Sequence, residues 1–314
     1  VETSLLLIPI ALGRLREPFV TLIDPEVTTT VKSMQADEKL QVFNATQIDK
    51  LYQQLGNMQD KRFFSRVQMF PSIVNRDYGA GFLGKYEITA NRNSATNNMS
   101  LNYLSDWAAV AGVNHSFWGG IVKVGASGRL VDRVAYNGNV NPASTSMNIQ
   151  DLASEGLGLG VDLGVSLSSP TEWLPTLAVM AKDVGGTSFT LGNGFRNYGH
   201  STTPTSIPST IDVAAALFPI QGRNMRSTFT IEYDDVNNAY SYLNTKQKLH
   251  AGWEVNFADQ LFFRAGINRG YLTGGAEWAF RYFQLQIAYY GEEVGTADKP
   301  VRDDRVAVKA VFRF

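Results

Sequence analysis

Arg305-Val-Ala-Val-Lys-Ala-Val-Phe-Arg-Phe314 sets the terms on which the rest of the chain is read. Val306, Val308, Ala310, Phe312 and Phe314 interleave with Arg305, Ala307, Lys309, Val311 and Arg313. Side chains of a strand alternate between two faces, so one face is apolar and aromatic and the other largely cationic. In water such an apolar face turns toward a core. In lipid it turns outward, and the cations line an interior. The choice rests on whether the same alternation recurs.

It does. Leu157, Leu159, Val161, Leu163, Val165 and Leu167 alternate with Gly158, Gly160, Asp162, Gly164 and Ser166. Leu249, Ala251, Trp253, Val255 and Phe257 alternate with His250, Gly252, Glu254 and Asn256. The chain turns at Ala258-Asp259 and returns through Leu261, Phe263, Ala265 and Ile267. The pattern predicts about fourteen strands, at roughly 2–12, 62–75, 80–91, 99–114, 120–134, 154–168, 175–184, 209–219, 225–234, 247–257, 260–268, 274–282, 283–291 and 304–314. Twelve is the alternative count, because Pro9 weakens the first strand. Most odd-numbered connections are long and polar, and even-numbered ones are brief. That parity is the asymmetry of a transmembrane antiparallel β-barrel, with short periplasmic turns and longer extracellular loops. The fold class expected is therefore all-β, one barrel domain over 1–314, in the outer membrane of a Gram-negative bacterium.

Bulk numbers agree. Charged residues are 18% of the 314, and mean hydropathy is −0.14, as when apolar residues are diluted one-for-one by polar ones. No run of about 18 apolar residues exists for a transmembrane helix. There are no cysteines, which excludes thiolate chemistry and suits passage through an oxidising periplasm. No basic segment precedes Leu5–Leu12, so an exported protein is expected here in mature or trimmed form. Net charge is −1 with no basic stripe, which argues against nucleic acid as a partner.

Residues 13–61 read differently, as a helical insert after the first strand. Pro25 after Asp24 suits a helix start at about 25–34. Ile48, Leu51, Tyr52 and Leu55 recur at helical spacing, and Gly56 can end that helix. Its apolar stripe needs cover, so the segment is expected to cap the barrel mouth or partly plug it. The Gly-, Asn-, Ser-, Thr- and Pro-rich stretch 185–208 reads as a mobile surface loop. Trp107, Trp118, Trp173, Trp253 and Trp278 fall in or near strand ends, where aromatic girdles form.

Several stretches carry a family resemblance. Gly156-Leu-Gly-Leu-Gly-Val-Asp-Leu-Gly164, Ala181-Lys-Asp-Val-Gly-Gly-Thr-Ser-Phe189, Leu249-His-Ala-Gly-Trp-Glu254 and Phe263-Arg-Ala-Gly-Ile-Asn-Arg-Gly-Tyr271 are similar, in this order, to barrels related to the long-chain fatty-acid transporter, PorV-type proteins included. Phe314 resembles the terminal residue of such barrels. The resemblance implies fourteen strands, an obstructed lumen and passage or binding of hydrophobic compounds. It also implies outer-membrane lipid and lipopolysaccharide as surroundings, and the barrel assembly machinery as a partner of the strand ending at Phe314. PorV-type relatives imply a closed scaffold for secretion or surface complexes as the alternative. The family's N-terminal hatch, with its Asn-Pro-Ala-like sequence, is expected before the first strand, and no such sequence stands ahead of residues 2–12. Fatty-acid transport is therefore not carried over residue by residue.

Alternation assigns the lumen. Arg66, Lys85, Lys123, Arg129, Lys182, Arg226, Arg264, Arg305 and Lys309 are expected to face inward with Glu87, Asp162, Glu232, Glu254 and Glu277. They could form a filter with opposed charged walls. The alternative is a set of ion pairs that stiffens the barrel, and both signs on nearly every strand favour it. His115, His200 and His250 lack metal-ligand spacing, and no Gly-x-Ser-x-Gly elbow is present, so no catalytic site, metal or cofactor is expected. The function expected is an outer-membrane channel or transporter for small or hydrophobic compounds, narrowed by an internal segment.

Overall fold

The wall of the protein is legible in the segment 154–168. Leu159, Leu163 and Leu167 are 54%, 46% and 52% exposed, while Asp162, Ser166 and Ser168, on the alternate positions, are buried. An outside richer in exposed leucine than the inside is the arrangement lipid selects. The computed structural model describes residues 19–31, 62–93, 98–141, 149–198, 202–295 and 301–313.

Among these, fourteen antiparallel strands form one closed sheet in which every strand pairs with its neighbours along the chain. The first two are each broken once: β1 is Phe19–Ile23 and Glu26–Thr30, and β2 is Arg62–Met69 and Ser72–Val74. The next six are β3 (Tyr78–Asn93), β4 (Asn98–Phe117), β5 (Val122–Val140), β6 (Ser154–Ser168), β7 (Thr176–Lys182) and β8 (Thr210–Leu217). The remaining six are β9 (Met225–Tyr233), β10 (Leu249–Phe257), β11 (Leu261–Asn268), β12 (Tyr271–Ala279), β13 (Phe283–Glu293) and β14 (Arg302–Arg313). β14 closes the ring on β1, with Lys309 opposite Glu26 and Arg305 opposite Thr30. Every connection at the end where β14 finishes is short, while at the opposite end 94–97 and Arg269-Gly270 are comparably brief; φ values of 51° and 86° at Arg269 and Gly270 give the left-handed turn of a tight hairpin.

At the beginning of the chain one expectation lies beyond what is described and another is corrected. The strand at 2–12 lies outside the described residues, and the first wall strand is β1. The helix at about 25–34 gives way to strand over Glu26–Thr30. Val27 and three consecutive threonines, Thr28, Thr29 and Thr30, are β-branched and fit a pleated surface better than a helix. Pro25 falls in the break, where its carbonyl accepts the Ala310 N–H and its missing donor is not needed. Residues 19–30 therefore belong to the wall rather than to an insert spanning 13–61. Ile48, Leu51, Tyr52 and Leu55 lie outside the described residues.

β2 breaks at the same level as β1, at Phe70-Pro71. Asp24 spans the fault: its carboxylate accepts the Phe70 N–H and pairs with Lys309 Nζ at 3.2 Å. Gly81 of β3 admits the bent chain, since a Cβ there would stand 2.8 Å from the Pro71 carbonyl oxygen.

The main apolar cluster sits outside the ring. β3, β4 and β5 are 16, 20 and 19 residues long and carry their pairing well past the short end strands around them. At the long-loop end their outward residues Ile88, Leu101, Tyr103 and Val134 are buried instead of exposed. Ile149 and Ala153 join this cluster, and Tyr198 packs on it. Lower on the same strands the outward residues Phe82 and Trp107 are exposed and meet edge to face. All five tryptophans are among the exposed large side chains.

A cation on the lipid face should be costly. Leu163→Arg is expected to lower the unfolding free energy in lipid vesicles by about 2–4 kcal/mol. Guanidinium titration followed by tryptophan fluorescence measures it, and an unchanged midpoint would contradict the outward assignment.

Candidate functional site

Inward alternation brings the charged residues of the wall into adjacent pairs. Arg264 donates to Glu254 at 2.6 Å and to Glu277 at 2.5 Å, and Gln284 and Gln286 donate to Glu277 as well. Arg129 pairs with Asp162 at 2.5 Å and with Asp183. Lys85 stands 3.8 Å from Asp106 and 4.0 Å from Glu87, while Arg133 makes two 2.8 Å bonds to Asp106. Arg66 reaches Glu26 at 3.5 Å, and Arg305 reaches Asp303 at 2.9 Å while lying 3.6 Å over the Phe64 ring. Lys182 pairs with Asp212, beside Glu232. Lys123 stands opposite Ser116 and Ser166 near the short-turn end. Arg226 is the exception to an enclosed placement: it is exposed at the short-turn rim and pairs with Asp259 at 3.0 Å.

Sequence reading missed at least one member of most of these pairs. Asp106, Arg133 and Asp212 sit at inward positions that alternation alone would have found. Asp24 and Glu26 were hidden by the helix assigned to their segment, and Asp183 by its place just beyond a strand.

The arrangement leaves a cavity of about 910 Å³ in the upper lumen, lined by Arg66, Glu87, Asn102, Glu232, His250 and Arg305 among others. It reaches the long-loop end at Tyr242 and Val294. Glu277, Gln284 and Lys309 lie below it on the way to the short-turn end. Carboxylate oxygens of Asp212, Glu232 and Asp234 lie within 4.8 Å of one another beside this cavity. Lys182 already supplies a cation to Asp212, and His250 supplies an imidazole 3.2 Å from Asp234. Near the mouth, Lys248 is buried against Asp235 at 2.8 Å and Asn238 at 2.8 Å. Burial alone would raise the Asp235 carboxyl, but hydrogen bonds from Lys248 and the Tyr240 and Ala239 N–H groups bring it below the usual carboxylate value.

The described parts of the stretch 183–209, 183–198 and 202–209, correct the expectation of a mobile surface loop at 185–208. The stretch clasps the upper end of β6 from both sides. Gly185 and Gly186, with φ of 82° and 81°, turn it inward. Thr187 and Phe189 then lie buried against the inner faces of Gly156, Gly158 and Gly160, where added Cβ atoms would stand 2.5 to 2.8 Å from the segment. Leu191 and Gly192 pair with the free edge of β6 at Leu157, which β7 does not reach. Beyond that edge the chain lies on the outer face. The Glu155 carboxylate accepts the Arg196 and Tyr198 N–H groups at 2.6 and 2.7 Å. The Arg196 guanidinium bonds Asp132 Oδ2 at 3.0 Å and Ser105 Oγ at 2.6 Å, and packs over Trp107 at 5.2 Å. Ile207 brings the chain back inside to pair with Thr187. The polar composition of the segment thus satisfies two walls instead of solvent.

No family model matches the chain, and no curated protein matches its sequence. Solved structures do match the fold. A structure described as the CymD monoaromatic hydrocarbon channel aligns with 10% identity, a TM-score of 0.56, and 99% and 92% of the two chains covered. The toluene transporter TodX of P. putida aligns with 12% identity and a TM-score of 0.50, over 100% and 93% of the chains. Its deltaS2 mutant aligns with 13% identity and a TM-score of 0.54, over 97% and 91%. At these identities what is shared is the fold, a closed bacterial outer-membrane β-barrel.

The Arg129 pairs give a direct test of how firmly the clasp is seated. Arg129→Ala leaves Asp162 and Asp183 buried without their cation, which typically costs about 3–5 kcal/mol. The double change Arg129→Ala with Asp162→Ala is expected to recover part of that loss. A single variant unfolding at the wild-type guanidinium midpoint would contradict the pairing.

Proposed function

We propose that the protein is an outer-membrane channel for small compounds, hydrophobic ones included, which enter the upper lumen from the extracellular side. The observation that carries this reading is the cavity of about 910 Å³ enclosed by the lipid-facing wall and reaching the long-loop end. Its volume falls within the range of about 300–1,000 Å³ typical of small-molecule sites. The fold similarity to structures described as hydrocarbon and toluene channels supports an apolar cargo. Passage is narrowed by the Glu254–Arg264–Glu277 belt and by the 183–209 clasp. Because most of the lumen charges are already paired, a weakly polar solute meets few unsatisfied charges on its way. The segment 32–61, which joins β1 to β2 at the long-loop end, is suited to cap the mouth through its expected apolar helix. Assembly into the membrane is inferred to proceed through the machinery that reads the terminal strand, in a bilayer whose outer leaflet is lipopolysaccharide.

Conductance in planar bilayers tests the reading. The intact protein is expected to show small, infrequent steps. Replacing residues 186–206 by a short Gly-Ser linker should raise the step size several-fold. Absence of steps in both forms would reject the channel and favour a closed scaffold.

A further inference from the structure

The two described histidines sit in opposite surroundings. His115 is exposed on the outer face beside Phe117, at the short-turn end, whereas His250 lines the lumen cavity. The His250 ring is held between two acceptors. Its Nδ1 stands 2.6 Å from Asn268 Oδ1 on β11, and its Nε2 stands 3.2 Å from Asp234 Oδ2, just past β9. A neutral imidazole has one N–H and satisfies only one of them, while an imidazolium donates to both. With the Nδ1 proton given to Asn268, Nε2 is buried without a hydrogen bond, so this edge of the ring is shaped to take a second proton.

The ring adjoins a part of the cavity wall where charges do not cancel. Asp212, Glu232 and Asp234 bring three carboxylates together, and Lys182 is the ammonium set against them. Glu232 is the register partner of His250 across β9 and β10. Lys248, two residues before His250, is already bonded to Asp235. On the other walls of the cavity the pairs are closed: Arg66 with Glu26, Arg264 with Glu254, and Arg305 with Asp303. The charge of His250 therefore bears on a corner with carboxylates in excess.

We propose that His250 is a proton-operated control of ion selection in the upper lumen. While the ring is neutral, the excess of carboxylates favours cations and repels anions. When pH falls, Nε2 takes a proton from solvent and donates it in a hydrogen bond to Asp234. The added positive charge offsets one carboxylate, and the preference for cations weakens. Imidazole is the side chain whose charge changes between about pH 5 and pH 8 without further perturbation. The inference rests on the channel reading above, since selection requires that solutes pass.

Reversal potentials in a KCl gradient, recorded across planar bilayers at about pH 8 and about pH 5, test it. In the wild type the cation-over-anion permeability ratio is expected to fall by about threefold or more on acidification, the effect of one unit charge across several ångströms of partly hydrated lumen. His250→Gln keeps a neutral polar side chain at every pH, so its ratio should stay at the high-pH value of the wild type. Asp234→Asn should lower the ratio at high pH. Retained heat-modifiable mobility on gels shows that each barrel is folded. A wild-type ratio that does not change with pH overturns the proposal. So does a shift that survives in His250→Gln, which would assign the titration to the carboxylates, or a high-pH ratio unchanged in Asp234→Asn. A barrel that never conducts rejects the channel reading and this control together, whereas conduction without the His250-dependent shift rejects the control alone.

Discussion

Lipid offers no hydrogen-bond partner to a backbone N–H or carbonyl, so a sheet that crosses a membrane must have no free edge. The pairing of β14 with β1, from Arg305–Thr30 to Lys309–Glu26, is where this chain meets that requirement. The rest of the architecture follows from it. Closure makes one face of every strand a lipid face and the other a lumen face. It places most of the wall's charges inside, where the low dielectric and neighbouring strands force them into pairs. It also explains why Asp24 spans the faults at Pro25 and Pro71: a proline break inside a closed wall needs a local substitute for the lost ladder bonds.

The ladder is also incomplete at the upper end of β6. β7 pairs only with 163–168, which leaves the edge from Leu157 upward without a strand neighbour. The clasp supplies it, through Leu191 and Gly192, and then secures itself on both faces of the wall. Interior and exterior contacts of one loop are thereby coupled. The burial of Phe189 and the Arg196 anchor are consequences of the same missing neighbour.

Much of the wall was legible in the sequence because its signal is local. Alternation over 157–167 and 249–257 needs no partner to be read, and loop parity confirms the strand count from connections alone. The inward placement of Arg264 and Glu277 follows from the same period. β1 was not legible, since Asp24-Pro25 has the local chemistry of a helix start and the contact that makes it a strand lies in β14. The more apolar run at Leu5–Leu12 competed for the same role. The clasp failed for a related reason. Its Gly, Asn and Thr residues suit a solvated loop, and the slot that receives it is made by what Gly156 and Gly158 lack. A glycine in an alternating strand reads as a small inward residue, and nothing nearby says that another segment will lie on it.

The account stands on the identity of the strand that closes the barrel. Thr29 of β1 and Val306 of β14 are register partners on the outward face, and the chain has no native cysteine to interfere. Thr29→Cys with Val306→Cys, oxidised in assembled membranes, should form a disulfide that locks β1 to β14 and shifts the denatured protein to a compact, cross-linked band. Failure of this pair to cross-link in folded barrels, with no such band under oxidation, would contradict closure by Phe19–Thr30.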